Sequence, residues 1–198
     1  MSFNVAYLTG VPGSGKSTIC SRLLRSRNDV EIISFGKFLK ERLARKHPDL
    51  SYQEMRAASA ELISPALVKL VEEDVISRVS QSRSSKHVFI DTHAVTKAQY
   101  GFRLTPFSLR SIRALNPTFY ITVIASLETI SKRMTENSDG RLLLNNWQAE
   151  TEAILQNTLT TAYSVETGSP SYYLENNSDD EFEGAVTFID NLLDGMRP

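Results

Sequence analysis

Residues 10–17 read Gly10-Val11-Pro12-Gly13-Ser14-Gly15-Lys16-Ser17, a complete G-x-x-x-x-G-K-[ST] pattern. Ahead of it runs Phe3–Thr9, a short apolar stretch that reads as a buried strand. Behind it, from about Lys16 to Arg27, runs a helical pattern. A strand, a glycine-rich loop and a helix in that order confine the chain to α/β folds that present the loop at a sheet's C-terminal edge. The residue types give the loop its chemistry. Glycines at 10, 13 and 15 allow consecutive N–H groups, including that of Ser14, to turn inward as an anion nest. The helix N-terminus adds about half a positive charge. Lys16 adds a full charge for β- and γ-phosphates, Ser17 offers a hydroxyl to Mg2+, and Thr18 can reach an α-phosphate. The expected ligand is a nucleoside triphosphate, ATP with magnesium.

The rest of the chain alternates strand and helix, as a parallel sheet requires. Val30–Phe35, His87–Asp91, Phe119–Ala125 and Tyr172–Leu174 read as strands. Lys37–His47, a stretch resuming through Leu67 to Val79, a segment ending near Leu115, one ending near Thr135, 144–166 and 179–194 read as helices. Residues 92–105 read as a long loop, and Pro106 as a first-turn residue of the helix that follows. Pro65 is expected to end or kink a helical stretch. Ser51 with Glu54, and Ser178 with Glu181, have capping-box spacing. The sum is an α/β P-loop NTPase fold, with a parallel sheet of about five strands flanked by helices.

Asp91 ends the apolar run Val88-Phe89-Ile90. An acid there stands beside a phosphate loop and serves magnesium directly or through water. Taken alone it reads almost as well as a loop cap. No second acid follows it, which counts against a dedicated ATP hydrolase.

Composition sets the remaining bounds. With 22 Lys and Arg against 23 Asp and Glu, the net charge is −1, so nothing global asks for nucleic acid. No apolar run is long enough for a membrane helix. The N-terminus lacks the basic start of a signal peptide, and Cys20 is the single cysteine, so no internal disulfide can form. A cytoplasmic protein is the expectation. No Cys/His cluster suggests structural zinc.

Gly10–Thr18, Phe35-Gly36, Met55-Arg56, Ile90-Asp91-Thr92-His93, Lys97 and the arginines around 133–141 occur in the order found in archaeal-type adenylate kinases. The chain resembles that family over nearly its whole length. The ribosome-biogenesis adenylate kinases, a related branch, carry a similar Asp-x-His. The resemblance implies one kinase domain spanning 1–198. Its core would be 1–35, 65–133 and 146–198, with a helical acceptor-binding insert at 36–64 and a short lid at 134–145. It implies that Phe35, Gly36, Arg56, Thr92 and Lys97 serve a small nucleotide acceptor. Lys16, Asp91, His93, Arg133 and Arg141 would be the catalytic set, and Ser17 and Asp91 the metal ligands. Arginine suits the lid because its planar fork pairs with phosphate oxygens and keeps its charge.

The lid is thin, with Asp139 and Leu142–Leu144 where charge or polarity is expected, and Lys37 stands in place of a small hydroxyl residue. These departures bear on the acceptor more than on the donor. The leading expectation is ATP-dependent phosphoryl transfer to a nucleoside monophosphate, AMP first. Two others stay open: an ATP-binding assembly factor or switch with slow hydrolysis, and a small-molecule kinase with a different acceptor. Plainer readings cover the remaining residues. Arg103, Arg110 and Arg113 suit an exposed face, His47 and His87 structural or exposed positions, and Cys20 and Trp147 the core.

Overall fold

The computed structural model describes residues 3–49, 51, 54, 62–98, 100–136 and 144–195. Five parallel strands form its sheet, in the order β2-β3-β1-β6-β7. They are β1 (Val5–Thr9), β2 (Val30–Ser34), β3 (His87–Asp91), β6 (Phe119–Ile124) and β7 (Ser171–Glu175). The central strand β1 is buried at every position, as expected of a strand covered on both faces. Its alternation divides the core. Val5 and Tyr7 face one cluster with Ile33, Val88, Ile90 and Tyr120. Ala6 and Leu8 face the other with Phe89, Ile121 and Val123.

Helices α1 (Lys16–Ser26) and α7 (Asp179–Leu193) cover the second face through Ile19, Leu23, Val186 and Ile189. On the first face lie α2 (Phe35–Lys46), α3 (Pro65–Ser82), α4 (Leu109–Leu115) and α6 (Asn146–Thr167). Helix α5 (Leu127–Glu136) sits against the phosphate loop, where Ile130 and Met134 close over Val11.

The start signals are the ones the sequence carries. Ser178 accepts from the Glu181 N–H, and Ser51 and Glu54 bond reciprocally. Asn145 and Gln148 make a full capping box at the start of α6. Leu62 is helical, Ile63 and Ser64 are not, and Pro65 opens the first turn of α3 behind the N-cap Ser64, so the helical stretch is broken at this proline as expected. Pro106 lies outside α4, which starts at Leu109 behind Ser108.

The expected loop at 92–105 contains a two-stranded antiparallel hairpin, β4 (Val95–Ala98) and β5 (Gly101–Leu104). Its strands are four residues long, and only Val95 and Ala98 are buried, too few positions to establish a period of two. Trp147 corrects another expectation: it is 68% exposed, because the capping box fixes the first turn of α6 with that position on the outer face. Among the described residues, no helix is long and apolar enough to cross a membrane.

Candidate active site

The loop between β1 and α1 is built by local necessity. Gly15 caps α1 at φ 90°, a left-handed conformation natural to glycine, and no side chain caps the helix. The first-turn N–H groups therefore keep no side-chain acceptor and face the loop. A Cβ on Gly15 would run into the Asn176 amide. At Gly10 a Cβ would lie 2.6 Å from the Val123 carbonyl oxygen, so β6 and the loop can approach this closely only without a side chain there. Ser14 is fully buried; its N–H donates to the Val11 carbonyl at 3.1 Å, and its hydroxyl has no protein partner among the described residues. Ser17 and Thr18 are exposed at the start of α1.

Lys16 reaches across the sheet edge to Asp91, and the two form an ion pair that is only slightly exposed. The parallel register explains the meeting: Leu8 of β1 stands opposite Asp91 of β3, so the strand that delivers the loop also aligns the acid. Arg133, from the last turn of α5, donates to the Gly13 carbonyl at 3.2 Å. Its guanidinium therefore lies over the tip of the phosphate loop.

His93 Nε2 lies 3.0 Å from the Glu152 carboxylate on α6. Thr92 is buried; its N–H donates to the Leu8 carbonyl, and its own carbonyl accepts from the Thr9 hydroxyl at 3.2 Å. Phe35 is buried in the main core, edge-on to Phe107, and Gly36 follows in the first turn of α2. Lys97 turns onto its own hairpin. Its ammonium donates to the Ala98 carbonyl at 2.6 Å and lies over the Phe102 ring. Arg56 and Arg141 lie outside the described residues. The structure thus brings Lys16, Asp91 and Arg133 together around the loop and sets His93 against α6, while Phe35, next to the Ser34 that stands opposite Asp91, buries its ring in the core and Lys97 bonds its own hairpin.

Three residues of this region carry no sequence motif. Asn176, just past β7, is 2% exposed and donates to the Ser14 carbonyl at 2.7 Å, so the last strand braces the phosphate loop. Glu152 and Gln156 are buried on α6. A polar series at intervals of four, Glu152, Gln156 and Thr160, on a helix expected to cover the sheet was the available signal for the latter two.

Cys20 is buried, and burial first, then the Asp91 charge, push its thiol up to about 12. It packs as a small apolar residue of α1, as its place in the sequence suggested. The donor set also fits magnesium. A hydroxyl at Ser17 and a carboxylate at Asp91 are hard oxygen ligands, and no group of three or more acidic, His or Cys side chains gathers into a metal cage among the described residues. Magnesium characteristically takes one or two protein oxygens and completes its shell with phosphate and water.

A five-stranded parallel sheet carrying a phosphate loop, with a basic residue and an acid across its mouth, defines a P-loop phosphotransferase of the nucleotide-kinase class. The chain belongs to the AAA-domain family, whose sequence model matches residues 9–147. It is similar to the adenylate kinase of Pyrococcus abyssi, 28% identical over 197 residues that cover 98% of this chain and 96% of that one. The adenylate kinase of Thermococcus kodakarensis is 28% identical over 196 residues, covering 96% and 95%. The fold is also that of a shikimate kinase from Acinetobacter baumannii solved with shikimate, at TM-score 0.56 and 14% identity over 99% of this chain and 96% of the other.

Proposed function

We propose that this protein transfers the γ-phosphoryl group of ATP to a nucleoside monophosphate, with AMP as the acceptor. The observation that carries the donor half is the Lys16–Asp91 pair at the mouth of the loop. Relatives named adenylate kinase, similar along nearly the full length of both chains, support the acceptor half.

Phosphoryl transfer asks the protein for alignment and charge more than for covalent chemistry. The nest of N–H groups at residues 10–16 binds the phosphates and fixes their orientation. Lys16 exchanges its carboxylate partner for phosphate oxygens, which frees the Asp91 carboxylate. Ser17 and Asp91 would then hold magnesium, which would supply charge neutralisation for the phosphate oxygens. Arg133, already over the loop, pairs with the oxygens of the transferring group. Arg141 joins it from the lid, and Arg56 holds the acceptor phosphate from the insert at 36–64. Lid residues 134–145 exclude water, which would otherwise receive the phosphoryl group.

A coupled assay with ATP, magnesium and a panel of nucleoside monophosphates, nucleosides and small alcohols tests the reading. The expected result is ADP production that rises with AMP well above the acceptor-free rate. Turnover with a non-nucleotide acceptor alone, or no response to any acceptor, would overturn it.

A further inference from the structure

The inner face of α6 carries three polar residues at intervals of four, Glu152, Gln156 and Thr160, at 2%, 0% and 0% exposure. Polar groups so deep in a core are costly unless they are bonded, so their partners reveal what the stripe holds. Thr160 returns its hydroxyl to the Gln156 carbonyl. Gln156 donates to the Thr9 hydroxyl at 2.6 Å, and Thr9 in turn donates to the Thr92 carbonyl. Glu152, one turn nearer the start of α6, meets His93 Nε2 at 3.0 Å. Two successive turns of α6 therefore grip the segment Thr92-His93, directly after the acid that ends β3. His93 is one-third exposed, while the Glu152 side chain is almost wholly enclosed.

We propose that Glu152 is a positioning residue for the transfer reaction and acts through His93. The carboxylate accepts the Nε2–H of the imidazole and so fixes both the ring plane and the tautomer. Nδ1 is left as the ring nitrogen able to accept a hydrogen bond from a donor in the site. A histidine whose second nitrogen bonds a buried carboxylate has its tautomer set by that bond. The inference rests on the phosphotransfer reading above, since the group that meets Nδ1 belongs to that reaction. It also ties α6, the helix that follows the expected lid, to the strand end that carries Asp91.

Steady-state kinetics with ATP, magnesium and AMP, alongside 15N spectra of the His93 ring, tests the assignment. Glu152→Ala should lower kcat by about tenfold or more, with KM for ATP changed by less than about twofold. Glu152→Gln has nearly the same shape and still offers an oxygen to Nε2–H, so it should keep most of kcat. In a His93→Ala background, Glu152→Ala should cost no further kcat, because the effect passes through the imidazole. The neutral ring should show the Nε2–H form in the wild type and in Glu152→Gln, and mixed tautomers in Glu152→Ala.

An unchanged kcat in Glu152→Ala, equal losses in the Gln and Ala variants, or an undiminished loss on the His93→Ala background would each overturn the role. A wild-type protein without acceptor-dependent turnover would defeat the phosphotransfer reading instead. The ring spectra would still decide the tautomer assignment in that case, and a wild-type Nδ1–H form would refute it.

Discussion

Lys16 is held by Asp91 before any nucleotide arrives, so its charge is aimed and compensated in the free protein. Lys16→Ala removes the cation proposed to meet the β- and γ-phosphates. It should lower kcat/KM by about 10²-fold or more, measured in the AMP-dependent assay. Asn176 acts on the same loop from behind. Its amide satisfies a buried carbonyl at Ser14, so Asn176→Ala should cost about 1–3 kcal/mol of stability, read from the denaturant midpoint. It should also weaken ATP binding, because the loop loses its brace. His87 lies far from this chemistry, where its Nδ1 accepts the Asn4 N–H at 3.0 Å. Burial holds its imidazole below the usual 6.5, so the folded protein binds that proton less readily than the unfolded chain does. Its contribution to stability is thus fully present above about pH 6.5 and is lost as pH falls through the folded value. Thermal unfolding measured from pH 8 down to 5 should show this decline, and His87→Gln should flatten that part of the curve.

At the scale of elements, the site depends on how helices start and where strands end. The Asn145–Gln148 capping box begins α6 and so sets which face carries Glu152 and Gln156 inward. Asn145→Ala should lower stability by about 1 kcal/mol in equilibrium unfolding, the usual worth of an N-cap. Local signals made most of this visible in the sequence. The phosphate loop with its flanking strand and helix, the acid at the end of β3, and the serine opening α7 are each written within a few residues. Contacts that join distant segments were not visible. Asn176 meets Ser14 across 162 positions, and its partner is a backbone carbonyl that no motif marks. The hairpin β4–β5 gives no such signal, because its two buried residues, Val95 and Ala98, both lie in β4 and cannot display a period. Trp147 looked like core by its size, yet the cap geometry of α6 turned it outward. Lys97 matched a basic family position, but the hairpin carbonyls beside it hold its ammonium.

Across the whole molecule, β1 lies at the centre of the sheet and its loop is touched by elements from both sides: Arg133 of α5, Asp91 of β3 and Asn176 beyond β7. On the proposed reading, closure over bound nucleotide should move the start of α6 against the core. Trp147, the single tryptophan, stands there exposed and can report the motion. Adding ATP with magnesium, and then AMP, should shift its emission to shorter wavelength as the ring leaves water; the Lys16→Ala protein should show a much smaller change. The central claim is that the site passes a phosphoryl group between nucleotides and does not release it to water. The reverse direction tests this most directly, because a hydrolase cannot make ATP from ADP. With ADP and magnesium as the only substrates, 31P spectra should show ATP and AMP appearing together in equal amounts. Unchanged ADP, or inorganic phosphate without ATP, would contradict the account.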